Sequence, residues 1–91
     1  MAQLEVDLVD AEGKGGAGQA HQVTAPAADG GIGILPGHTP VLSLLRAGEV
    51  RVREERGGAA LSWHVDGGFL SVDSDQVTLV VDNAEPTTTG H

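Results

Sequence analysis

The chain has 91 residues, 13 acidic against 5 basic side chains, four histidines and no cysteine, so it makes one small domain of net charge −8. That balance argues against a nucleic-acid or anionic-lipid surface, and the absence of cysteine rules out a disulfide framework or a thiolate metal site. Acids stand where a signal peptide needs bases, and no apolar stretch approaches the ~18 residues of a membrane helix, so a soluble intracellular protein is expected.

The hydrophobic period is two from the start. Leu4, Val6 and Leu8 alternate with Glu5, Asp7 and Val9, the pattern of a half-buried strand. Residues 13–18 are glycine-rich and read as a flexible turn, and residues 19–25 are a weaker strand with Val23 as its best inward side chain. A second turn falls at Asp29, Gly30 and Gly31. Two apolar runs, residues 32–35 and 41–45, flank a corner in which Pro36, Gly37 and Pro40 alternate backbone freedom with restriction. Residues 49–56 are rich in helix formers, but Val50 and Val52 are two apart and alternate with Arg51 and Arg53, so this is strand. Leu61, Trp63 and Val65 alternate with Ser62, His64 and Asp66. Val77, Leu79 and Val81 alternate with Thr78, Val80 and Asp82. Turns recur every 8–12 residues, at Gly57, at Asp66–Gly67–Gly68 and at residues 73–75 among others, which indicates an all-β sandwich or barrel. Each alternating strand buries only one side, and two packed sheets satisfy all of them. The expected inward set is Leu4, Val6, Leu8, Val50, Val52, Leu61, Trp63, Val65, Val77, Leu79 and Val81. Residues 1–85 then form the domain, and residues 86–91, with nothing to bury, form a frayed tail.

Several motifs fail on context. Gly13-Lys-Gly-Gly-Ala-Gly18 matches G-x-G-x-x-G, yet Pro26 leaves no room for the crossover helix of a dinucleotide fold. His21, His38, His64 and His91 share no metal-ligand spacing. No serine or carboxylate has a context that would activate it, so no catalytic, cofactor or metal residue is assigned. His38 has two readings: a turn histidine bonded to local backbone, or a contact to a partner. The segment around it is a preshaped surface, which favours docking over chemistry.

Four blocks then stand in a fixed order. They are Gly33-Ile-Leu-Pro-Gly-His-Thr-Pro-Val-Leu-Ser43, Gly48-Glu-Val-Arg-Val52, Asp66-Gly-Gly-Phe-Leu-Ser-Val72 and Val77-Thr-Leu-Val-Val-Asp-Asn-Ala-Glu85. With the opening Leu4-Glu-Val-Asp-Leu-Val9 they resemble the epsilon subunit of rotary F-type ATP synthase over residues 3–85. The resemblance implies a flattened ten-stranded β-sandwich, the amino-terminal domain of that subunit. It implies a non-catalytic rotor part in the central stalk, bound to the gamma subunit and resting on the membrane rotor ring, coupling proton transport to ATP synthesis. It places the chain on the cytoplasmic side of a bacterial plasma membrane, with membrane contact only through the complex. Typical members add a carboxy-terminal helical hairpin that can inhibit hydrolysis and in some members binds ATP. This chain stops about where that hairpin would begin, so neither hairpin inhibition nor ATP binding is expected.

By position, His38 and Ser43 match family residues near gamma, and the expected gamma contacts are Pro36, Gly37, His38, Thr39, Pro40, Val41, Leu42 and Ser43. The expected rotor-ring contacts are Asp29, Gly30, Gly31 and Ile32. The family commonly has an acid where Gly31 stands, and Asp29 is the nearby candidate to replace it. The family also has an aromatic, a small residue and glycine where this chain has Gly16, Ala17 and Gly18, so a core anchor is missing and the hairpin there should be loose. The alternative is a free-standing β-sandwich that binds a small ligand. A stalk subunit should expose an apolar patch, a ligand module a concave pocket.

Overall fold

The computed structural model describes residues 3–13, 15–54 and 60–87. Ten strands run through them: β1 (Leu4–Val9), β2 (Gly15–Ala20), β3 (Gln22–Ala27), β4 (Gly30–Ile34), β5 (Val41–Leu45), β6 (Gly48–Arg53), β7 (Ala60–Val65), β8 (Gly68–Asp73), β9 (Gln76–Val81) and β10 (Ala84–Pro86). They form two five-stranded halves, β4-β3-β6-β7-β10 and β5-β8-β9-β1-β2. The halves meet in one ladder pair, Ala27 opposite Leu45. There the single sheet folds over on itself, and the inner faces close on a shared core. All but one of the strand pairings are antiparallel, and β1 runs parallel to β9.

The alternation written in the sequence decides which face is inside. Leu4, Val6 and Leu8 of β1 are buried, as are Val50 and Val52 of β6 and Val77, Leu79 and Val81 of β9. Val23, Ala25, Ile34, Leu70 and Val72 complete the core from β3, β4 and β8. Each aliphatic side chain so enclosed contributes about 1.5–3 kcal/mol, and with small side chains throughout, the core depends on close contact between the sheets.

Two inward expectations need correction. Val65 is fully enclosed, but Leu61 is 46% exposed and Trp63 only half-buried. Both line the interior cleft between the sheets, together with Val6, Leu8 and Leu79. They stay wet because the strand that should cover them is β2, whose inner positions opposite Leu8 and Val6 are Gly16 and Gly18. The alternation was read correctly, and the missing partner atoms leave the faces uncovered. The turn expected at 13–18 is also shorter. Its chain reversal uses residues 11–13, and from Gly15 onward the glycines are paired to β1 along its whole length. At the other end, Pro86 closes β10 and the Thr87 amide donates to the Ser62 carbonyl at 2.9 Å, so the ladder runs past the expected limit at residue 85. Residues 88–91 of the expected tail and the turn signal at Gly57 and Gly58 lie outside the described residues.

The Asp-Gly-Gly-Phe block has a steric cause. Gly67 and Gly68 have φ of 128° and 142°, and a Cβ at Gly68 would lie 2.1 Å from the Val80 carbonyl oxygen. Only glycine lets β8 approach β9 there, which in turn seats Leu70 and Val72 in the core. Gly68→Ala should therefore cost about 3 kcal/mol or more, from backbone strain plus overlap. A thermal midpoint within a degree of the parent protein would refute this.

Candidate docking surface

The corner at residues 35–40 is built by its own residue types. The His38 amide donates to the Leu35 carbonyl at 3.1 Å, with Pro36 and Gly37 at the two central positions and Gly37 at φ 86°. Proline first and a positive-φ glycine second is the type II turn pattern. The corner is also tied down from a distance. The Gly37 amide donates to Asp75 Oδ1 at 2.7 Å. Asp75 lies in the two-residue turn between β8 and β9, where Ser74 and Asp75 both have positive φ, as a type I′ hairpin requires. The Asp75 carbonyl accepts from the Glu5 amide at 2.8 Å. One residue thus connects the corner, the β8–β9 turn and the start of β1.

His38 Nδ1 lies 2.6 Å from the Thr39 carbonyl oxygen, so its ring is engaged with local backbone. It is half-buried, while Gly37, Thr39 and Pro40 are exposed. Val41 packs against the core and Ser43 is half-buried. The register explains both: Val41 and Ser43 stand opposite Val72 and Leu70, which face inward. Leu42 and Leu44 take the other face, at 73% and 69% exposure.

Those two leucines begin an outward apolar row that the sequence reading had only partly found. Leu44 stands opposite Phe69, Phe69 opposite Val80, and Val80 opposite Val9. Phe69 is 41% and Val9 40% exposed, and Val80 is half-buried. Leu42, Leu44 and Phe69 line a shallow depression. Beside the row, Ser71, Thr78 and Asp7 supply a polar margin. The signal in the sequence was a strand, β5, that is apolar on both faces, beside Phe69 at an outward position of β8. The outer face of the other sheet is different in kind: it carries Thr24, Glu49, Arg51 and His64, with Arg51 Nε donating to Glu49 Oε1 at 2.9 Å.

The second candidate region, at the β3–β4 hairpin, lies at the opposite end of β4, roughly 13 Å of strand away from the corner. Asp29 and Gly31 are exposed and Gly30 has φ 139°. Ile32 stands opposite buried Ala25 and packs against the core, so this tip presents Asp29 and bare glycine backbone rather than the isoleucine side chain. Among the described residues no group of three His, Asp or Glu side chains could hold a metal, and no helix is long and apolar enough to cross a membrane.

The described residues thus form a β-sandwich with a corner tied to Asp75 and a solvent-facing apolar row. The chain belongs to the ATP synthase Delta/Epsilon chain, beta-sandwich domain family, whose model matches residues 3–87. It is 44% identical over 84 residues to the ATP synthase epsilon chain of Halorhodospira halophila, covering 92% of this chain and 60% of that relative. It is 45% identical over 84 residues to the ATP synthase epsilon chain of Micrococcus luteus, covering 92% of this chain and 91% of that one. The chain therefore spans about three fifths of the length of the first relative and nearly all of the second. In structure it is similar to a chain in the Euglena gracilis mitochondrial ATP synthase, with a TM-score of 0.86 at 25% identity over 94% of this chain and 54% of that one. A chain in the Tetrahymena thermophila central stalk and c-ring structure shares the fold, with a TM-score of 0.74 at 18% identity over 90% of this chain and 65% of that one.

The Asp75 tether can be tested alone. Asp75→Gly removes the acceptor while keeping a residue at home with positive φ. The Gly37 amide should then exchange with solvent at least about tenfold faster, and the thermal midpoint should fall by about 4–8 °C for roughly 1 kcal/mol lost. Unchanged exchange at Gly37 would show that the corner holds itself.

Proposed function

We propose that this chain is a non-catalytic central-stalk part of an ATP synthase, and that its outward apolar row docks on the gamma subunit. The observation that carries this is the row itself, Leu42, Leu44, Phe69, Val80 and Val9, on a protein of net charge −8. Exposed apolar side chains scattered singly mean little, whereas a contiguous set with a polar margin marks an interaction site. Covering Leu42, Leu44 and Phe69 would contribute several kcal/mol, and a corner already fixed by Pro36, Pro40 and the Asp75 tether loses little entropy on binding. Residues 36–40 flank the row at the Val41 end of β5 and extend the contact. The β3–β4 tip, with Asp29 at its apex, rests on the rotor ring in this reading. The corner and the tip lie at opposite ends of β4, while the Leu44 end of the row adjoins the tip, the Ala28 amide donating to the Leu44 carbonyl at 2.9 Å. The chain then turns with gamma and the ring, helps couple proton transport to ATP synthesis, and sits at the cytoplasmic side of a bacterial membrane through the complex alone.

The ligand-binding alternative is weaker. The apolar cleft between the sheets holds about 100 Å³, against the roughly 300–1,000 Å³ usual for small-molecule sites.

Leu44→Glu should weaken binding to gamma about a hundredfold while moving the thermal midpoint by no more than a degree or two, since the side chain is already mostly in water. Thr24→Asp, on the outer face of the other sheet, should leave binding intact. If Thr24→Asp abolishes the complex and Leu44→Glu does not, the docking face is the wrong one. Asp29→Lys should leave gamma binding unchanged and weaken attachment of the gamma-bound chain to the ring.

A further inference from the structure

We infer that Asp29 is a site of spontaneous covalent modification, at which the Asp29–Gly30 link closes to a succinimide and reopens as isoaspartate. The inference stands on the geometry of the β3–β4 hairpin and not on the stalk reading.

The chain contains the triplet Asp-Gly-Gly twice, at residues 29–31 and 66–68. The reaction needs the glycine amide nitrogen to reach the side-chain carboxyl carbon of the aspartate before it. Glycine favours this, because it has no Cβ to obstruct the attack and its backbone turns freely. The two triplets are matched in sequence, so their surroundings decide which one reacts.

Asp29 is open. It forms the two-residue turn between β3 and β4 with Ala28, and its side chain is exposed. Among the described residues no hydrogen bond or ion pair holds its carboxylate. A Cβ built on Gly30 would meet nothing within 4 Å, and Gly30 has φ 139°, a value that disfavours any side chain that could block the attack. Among the described residues β4 is paired only to β3, so no further strand confines this end. Asp66 is held instead. Asn83 Nδ2 donates to Asp66 Oδ2 at 3.3 Å, and His64 Nε2 lies 3.5 Å from Asp66 Oδ1. The Gly67 carbonyl accepts from the Asp82 amide at 3.0 Å, and a Cβ on Gly67 would lie 3.6 Å from the Leu45 carbonyl oxygen. Attack at Asp66 requires these bonds to open first.

The chemistry balances with solvent water alone. The Gly30 nitrogen bonds to Asp29 Cγ, and its proton leaves with the carboxyl hydroxyl as water. A water molecule then adds to one of the two ring carbonyls. Addition at Cγ restores aspartate. Addition at the main-chain carbonyl carbon breaks its bond to the Gly30 nitrogen, and the chain then runs through Cβ and Cγ with the free carboxylate on Cα. The tip has room for the added main-chain carbon, since a Cβ on Gly31 would meet only the Ala25 carbonyl oxygen, at 4.0 Å.

Trypsin cleaves after Lys14, Arg46 and Arg56, so Asp29 falls in peptide 15–46, as its one aspartate, and Asp66 in peptide 57–91. The whole chain is aged in warm, mildly acidic buffer, native or in concentrated urea, and isoaspartate is located by fragmentation of each peptide against an unaged sample. In the native chain Asp29 should accumulate at least about tenfold more isoaspartate than Asp66, because the bonds at Asp66 must break before it reacts. In urea the two should agree within about threefold, since the protecting contacts are gone. Asp29→Glu, at an exposed position, should fold normally and lose the signal from its peptide, because the longer side chain closes a less favourable ring. Equal or faster conversion at Asp66 in the native chain overturns the inference. So does an excess at Asp29 that persists in urea, which would put the cause in the flanking sequence, or a signal that survives Asp29→Glu.

Discussion

Everything in this molecule depends on the one corner where its two half-sheets are joined. Ala27 pairs with Leu45 in the only ladder contact between them among the described residues, the Ala28 amide donates to the Leu44 carbonyl at 2.9 Å, and the Arg46 amide donates to the Pro26 carbonyl at 2.9 Å. These few backbone bonds let β3 leave one neighbour, β6, and reach another, β5. They bring the inner faces together with no disulfide, no helix among the described residues and few large side chains. They also decide the outer faces. Because Leu45 is turned into the core at the joint, Leu44 must point away from it, and Leu42 with it. The outward apolar row is therefore a consequence of where the sheet folds over.

The strands that were legible in the sequence are those with a strict period of two and chemically unlike faces. β1, β6 and β9 are of this kind, and their buried sets match the alternation residue by residue. What was illegible fails for identifiable reasons. β2 is Gly-Gly-Ala-Gly-Gln-Ala, and its glycine-rich first four residues carry no hydrophobic period, so they read as a turn. β10 is three residues long and is held by pairing to β7 rather than by pattern. The parallel contact of β1 with β9 joins the two ends of the domain, and nothing local announces it. In β5 the run Val-Leu-Ser-Leu-Leu is apolar at both parities, so the sequence could not say whether Leu42 and Leu44 or Val41 and Ser43 would face out. The corner was legible in its turn chemistry, but its tether at Asp75 lies 38 residues away and was not.

β5 departs from the burial pattern that the other strands follow. Its serine faces half-inward and its leucines face water, the reverse of what burial alone would choose. Natural strands hold such an inversion only where something else covers the leucines or where another requirement outweighs the cost. The net charge of −8 bears on what that cover can be. Two copies meeting row to row would bring like charges together within about a Debye length of ~8–10 Å, and the apolar gain would be opposed. A partner that is less acidic meets the same row without that penalty. The charge thus opposes use of the apolar face for self-association.

The glycines of β2 fit the same division of labour. Their absence of side chains weakens the core at one edge, where Leu61 and Trp63 stand half in water, and the outward row approaches that edge at Val9, which stands opposite Gly15. The pieces that must be stiff for docking are stiffened elsewhere: Gly68 locks β8 onto β9 under Phe69, and Asp75 locks the corner beside Leu42. Gly68 and Asp75 fix β8, β9 and the corner beside β5, and the inner faces of β9 and β1 are enclosed, so the thin part of the core is confined to the β2 edge, where Leu61 and Trp63 remain uncovered.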